Sequence, residues 1–115
     1  MKKESFSRDE RILKRKDFSA AYNLGKRLSS KNFIIFLYPN QTGMRRLGIT
    51  VSKKIGESVQ RNRIKRLLRE FFRLNKDRLP AGQDIVVVSR RDTSAKKYEE
   101  VRRELEGLLM AREVD

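Results

Sequence analysis

Arg61, Asn62, Arg63, Ile64, Lys65 and Arg66 run consecutively, and four of these six side chains are cationic. Guanidinium groups at this density suit bidentate capture of phosphate oxygens and stacking on exposed bases. Asn62 adds a donor and an acceptor without charge. The groups of bond-making chemistry are missing, since the chain has no Cys and no His. That excludes disulfides, thiolate zinc sites, cysteine nucleophiles, imidazole acid/base catalysis and Ser-His-Asp triads. Carboxylates cluster only at Glu99, Glu100, Glu104 and Glu106, with Arg102 and Arg103 interleaved. Paired charges of this kind read as a solvated helix face rather than a metal site. The chain is therefore expected to hold a polyanion and to perform no bond chemistry itself.

Composition points the same way. The 115 residues include 29 Lys and Arg against 15 Asp and Glu, a formal net charge of +14. Such a chain repels itself and seeks a polyanion, nucleic acid first and an acidic membrane surface second. The longest apolar runs are too short to span a bilayer. MKKESFSRDERILKRKDF also lacks the apolar stretch of a signal peptide, so a cytoplasmic protein is expected. One polyanion-binding domain over residues 1–115 is the reading, with 1–12 as a flexible N-terminal segment.

The basic run must be carried by a scaffold. Phe18, Ala21 and Tyr22, followed by Gly25, predict a short helix over 15–24. A short strand is expected over 27–30. NFIIFLYP predicts a strand over 32–39, closed by a turn at NQTG. Leu47, Ile49 and Val51 alternate with Gly48, Thr50 and Ser52 in a strand over 46–52. Ile64, Leu67, Leu68 and Phe71 then switch to helical spacing, predicting a helix over 61–74 with Ser58 as the candidate N-cap. LPAGQD is a loop, and the nearly unbroken apolar run of DIVVVSRR suits a central strand. A closing helix carries Tyr98, Val101, Leu105, Leu108 and Leu109 on one stripe. The order α-β-β-β-α-β-α predicts an α+β two-layer sandwich: a small mixed sheet packed with helices, its strands 46–52 and 84–90 able to lie parallel across the basic helix.

On that helix Arg61, Arg63, Lys65, Arg66, Arg69 and Arg73 have only Glu70 among them. Solvated faces mix both signs, and unneutralised like charges destabilise a helix. Phosphate contact is the better reading. Helix-turn-helix binding to DNA needs a second helix at short spacing, whereas strands flank this one; structured RNA fits at least as well. Arg61→Ala and Arg66→Ala are expected to weaken RNA assembly with little effect on folding.

VSKKIGESVQRNRIKRLLREFF, residues 51–72, closely resembles the protein subunit of bacterial ribonuclease P, with its R-N-R helix after a V-S-K-K segment. KRKDFSAAYNLGKR is similar to that family's first helix, and DIVVVSRR with the final helix to its closing elements. The resemblance implies a ribosomal protein S5 domain 2-like fold with a left-handed β-α-β crossover, against the usual right-handed preference. It implies a noncatalytic subunit of a ribozyme that removes the 5′ leader of precursor tRNA. It places the catalytic RNA on Arg61, Asn62, Arg63, Lys65, Arg66 and Arg69. It places the leader in a cleft of Phe18, Tyr22, Ile34, Phe36, Thr50 and Lys53, where aromatic platforms accept bases with little sequence preference. From burial tendency alone, Phe18 and Phe36 are equally ordinary core residues. Magnesium is expected for the RNA–protein holoenzyme, with no cofactor on the protein, no membrane partner and no small-molecule substrate. A ribosomal protein of similar basic α+β fold is the alternative, and a stand-alone nuclease lacks acid/base groups.

Overall fold

The computed structural model describes residues 10–110. Four strands form one mixed sheet in the order β1-β2-β4-β3: β1 Lys26–Ser29, β2 Phe33–Pro39, β3 Arg46–Thr50 and β4 Gln83–Ser89. The hairpin strands β1 and β2 are antiparallel, β2 and β4 are antiparallel, and β3 lies parallel to β4. The apolar run of β4 holds a central position, as its composition requires, with Asp84 through Val87 all buried. Helix α1 spans Arg15–Leu24, α2 Ser58–Leu74 and α3 Tyr98–Leu109.

Alternation along β2 divides the sheet into two faces. Phe33 and Ile35 join Leu47, Ile85 and Val87 in the main core, against Ile64, Leu68, Phe71 and Phe72 of α2 and Val101, Leu105 and Leu109 of α3. This is the sandwich read from the sequence. Phe36 and Tyr38 turn the other way, toward a smaller cluster built on Ile12, Ala21 and Val86, over which α1 lies. A carbon added at Gly25 would sit 2.5 Å from the carbonyl oxygen of Ala21 and 2.9 Å from that of Leu37. Only glycine lets the end of α1 run so close to β2.

Strand ends shift by one or two residues from the expected bounds, and two further differences bear on the site. Helix α2 begins at Ser58 with Glu57 as its N-cap; the Glu57 N–H donates to Oε1 of Gln60 at 2.8 Å. The box is thus Glu57 with Gln60, one residue ahead of the Ser58 cap, and the helix starts one turn before the first arginine. Residues 1–9 of the expected flexible segment lie outside the described residues. Ile12, at its end, is 5% exposed, and its N–H donates to the Leu47 carbonyl at 3.0 Å, so residues 10–12 run beside the free edge of β3.

Candidate nucleic-acid interface

Helix α2 turns Ile64, Leu67, Leu68, Phe71 and Phe72 inward. Asn62, Arg63, Arg66 and Arg69 are exposed, and Arg61 and Lys65 half-buried. The cations divide by their partners. Arg61 Nη1 donates to the Gly56 carbonyl at 2.6 Å, and Arg63 Nε donates to the Ser94 carbonyl. Gln60 Nε2 donates to Asp92 Oδ2 at 2.8 Å, stitching the same first turn to the loop after β4. Both bonds go to neutral carbonyls and brace the helix entrance, so Arg61 has a larger share in local structure than its sequence context indicates. Lys65, Arg66 and Arg69 have no acidic partner among the described residues. Arg73 is different, since its Nη2 lies 2.8 Å from Glu70 Oε2. The unneutralised charge is concentrated in the middle of α2.

The opposite face of the sheet carries the aromatic residues. Tyr22 of α1 stands between Phe18, at 6.3 Å between ring centroids, and Phe36 of β2, at 5.2 Å and nearly edge-on. Both phenylalanines are half-buried, and Tyr22 is 39% exposed. The Tyr22 hydroxyl lies 2.8 Å from Thr50 Oγ1, tying α1 to the end of β3. Strand register completes the floor: Val88 is opposite Ile34 on one side and Thr50 on the other, and Val86 is opposite Phe36 and Gly48. Five of the six residues assigned to a cleft thus share one side of the sheet. The sixth, Lys53, is exposed in the single 3-10 turn that follows β3.

Gly48 sets the depth of this surface. A Cβ there would fall 2.6 and 2.8 Å from the edge of the Phe18 ring, so the ring rests on bare backbone. Val88 and Gly48 went unassigned in the sequence. Gly48 shares the parity of Thr50 that alternation on β3 shows, whereas the four consecutive apolar residues of β4 hide the parity of Val88. At the other end, Arg46 donates from Nε and Nη2 to the two oxygens of Asp84 at 2.8 and 2.7 Å, and Asn40 Nδ2 donates to Asp84 Oδ1 at 2.8 Å. Asp17 in the first turn of α1 lies 3.5 Å from Arg46. The hydrogen bond to Asp84 outweighs burial and raises the Arg46 pKa above its ordinary value, which fixes this network as a charged anchor for α1.

The carboxylates of α3 are occupied within the fold. Arg102 bridges Glu99 and Glu106, and Glu100 Oε1 accepts the Lys97 N–H at 2.9 Å in the first turn. Glu104 accepts from the Ser30 hydroxyl and from the Asn32 backbone and side-chain amides, both at 2.8 Å.

The sequence matches the Ribonuclease P family over residues 6–112. The chain belongs to the ribonuclease P protein family. It is 52% identical over 113 residues to the ribonuclease P protein component of Syntrophus aciditrophicus, covering 98% of this chain and 94% of that relative. The Clostridium kluyveri component is 42% identical over 101 residues, covering 86% and 90%. Among solved structures, the Staphylococcus aureus ribonuclease P protein superposes with a TM-score of 0.79 at 34% identity, covering 86% of this chain and 91% of that one. The Thermotoga maritima protein gives 0.78 at 37% identity, covering 85% and 93%. The two solved structures share the α+β fold, and all four relatives carry the ribonuclease P name, which disfavours the ribosomal alternative. Membership makes this chain a component of a tRNA-processing ribonucleoprotein endonuclease. Among the described residues, no helix is long and apolar enough to cross a membrane.

Proposed function

We propose that the chain is the noncatalytic subunit of the particle, holding the catalytic RNA on the outer face of α2 and the 5′ leader of precursor tRNA in the cleft beneath α1. The catalytic RNA makes and breaks the bonds, in the cytoplasm. The observation that carries this reading is the pair of surfaces itself: unneutralised Lys65, Arg66 and Arg69 on one side of the sheet, and the rings of Phe18, Tyr22 and Phe36 on the other. A folded RNA offers dense phosphate to the first. A single strand offers unpaired bases to the second, and stacking on aromatic side chains tolerates any base. Arg61, Asn62 and Arg63 extend the first surface toward the helix entrance. Ile34 and Thr50 give the second an apolar floor with one hydroxyl, and Lys53 supplies a cation for the leader backbone. The α3 carboxylates do not fit a protein-held magnesium, because Glu99 and Glu106 are neutralised by Arg102 and Glu104 already accepts three hydrogen bonds from Ser30 and Asn32. Magnesium belongs with the RNA phosphates, and the protein's cations substitute for part of its screening.

Reconstitution tests the reading. Purified chain alone should leave precursor tRNA intact, while adding it to a bacterial ribonuclease P RNA should accelerate 5′ cleavage at low magnesium. An RNA whose cleavage is indifferent to the protein would refute it.

A further inference from the structure

Between the two surfaces, at the edge of β3, lies a cavity of about 250 Å³. Ile12, Phe18 and Ile49 give it apolar walls, and Arg11, Lys65 and Arg69 stand at its rim. It draws on four segments: the residues running beside β3, α1, β3 itself and the middle of α2. None of the three rim cations has an acidic partner among the described residues. The volume falls below the roughly 300–1,000 Å³ of pockets for drug-sized ligands, which limits the occupant to one small ring system. Apolar walls including an aromatic ring, under a rim of uncompensated positive charge, call for a flat group bearing an anion. In a protein that works on RNA, that is a nucleotide.

We propose that this pocket receives a single unstacked nucleotide, its base against Phe18 and Ile49 and its phosphate held by Lys65 and Arg69 of α2, with Arg11 closing the rim. The inference rests on the reading of the chain as an RNA-binding subunit and adds a third contact between its two surfaces. Lys65 and Arg69 belong to α2, the helix read as facing the catalytic RNA, which favours a nucleotide extruded from that RNA; the leader is the other source of the same chemistry. Extruding a base costs a few kcal/mol, least where it is already unpaired, so a bulge or loop nucleotide is expected.

Leu13, 56% exposed, forms part of the pocket wall and offers a position for a probe that does not disturb the core. The test assembles a Leu13→p-benzoylphenylalanine chain with ribonuclease P RNA, with and without precursor tRNA. After irradiation, the adduct is mapped by primer extension. The expected result is one stop at an unpaired nucleotide of the catalytic RNA, present without substrate. A single stop in the leader would also support a nucleotide site and would assign its source to the substrate. Replacing the mapped nucleotide by an abasic residue should then weaken the corresponding affinity roughly five- to 150-fold, the range for losing one base–aromatic stack, while the same change at its neighbour should not. Full assembly with adducts scattered over the RNA would overturn the pocket assignment and leave the RNA-binding reading standing. Failure of the parent chain to bind the RNA at all would remove both.

Discussion

Single side chains separate the functional from the structural uses of the cleft, and Tyr22 shows how. Its ring sits between Phe18 and Phe36, while its hydroxyl meets Thr50 at 2.8 Å at an exposed position. An exposed hydrogen bond competes with water and contributes at most about 0.5 kcal/mol, at the low end of the usual range. The ring is worth more to a stacked base, about 1–3 kcal/mol. Tyr22→Phe should therefore leave both stability and leader-dependent affinity nearly unchanged, whereas Tyr22→Ala should lose affinity for precursor tRNA but not for mature tRNA. Equilibrium binding to the reconstituted holoenzyme distinguishes these outcomes. Equal losses in the two variants would make the hydroxyl, not the ring, the contact. Phe18 illustrates why burial was undecided from residue type alone: the ring is half-buried because Gly48 admits its edge while α1 leaves its remainder open. No local pattern announces that a glycine on another strand will lie beneath a given phenylalanine.

Elements were legible where periodicity is local. The spacing of Ile64, Leu67, Leu68 and Phe71 located α2, and alternation on β2 separated Phe33 and Ile35 from Phe36. Contacts made across long stretches of chain were not legible. Nothing in three residues predicts that Ile12 will run beside β3, or that Arg63 will reach the loop at Ser94. The bond between α3 and the β1–β2 hairpin is of the same kind. Burial works against the charge of Glu104, yet the hydrogen bonds from Ser30 and Asn32 prevail and hold its pKa below the usual glutamate value. A carboxylate with a depressed folded pKa stabilises fully above its unfolded pKa and loses that contribution as the pH falls through the folded one. Glu104→Gln should accordingly cost about 1–2 kcal/mol at neutral pH, discounted for partial exposure. The gap between parent and variant should narrow as the pH drops below about 4. Denaturant unfolding across that range checks the sign; a gap that widens in acid would mean that the carboxylate is not the stabilising form.

For the molecule as a whole, a net charge of +14 is unevenly committed. Arg46, Arg73 and Arg102 are paired with carboxylates inside the fold, while Lys65, Arg66 and Arg69 are not. Only charges left uncompensated in the free protein can displace counterions from RNA at little cost, so the salt dependence of assembly reports how many of them touch phosphate. If about six contacts form, affinity for the catalytic RNA should fall on the order of a thousandfold between 50 and 200 mM monovalent salt. Arg66, exposed and without an acidic partner, should behave as one such contact: Arg66→Ala should flatten the log–log slope by roughly 0.7–0.9 and leave the melting temperature unchanged. Arg63 has a second duty, because its Nε donates to the Ser94 carbonyl. Arg63→Ala should flatten the slope similarly and also destabilise the fold, by at most about 0.5 kcal/mol because this bond too is exposed. Filter binding across a salt series, run beside thermal unfolding of both variants, separates the two roles. A slope unmoved by either substitution would mean that the middle of α2 faces water in the assembled particle, and the charge imbalance that marks this helix in the sequence would then need another explanation.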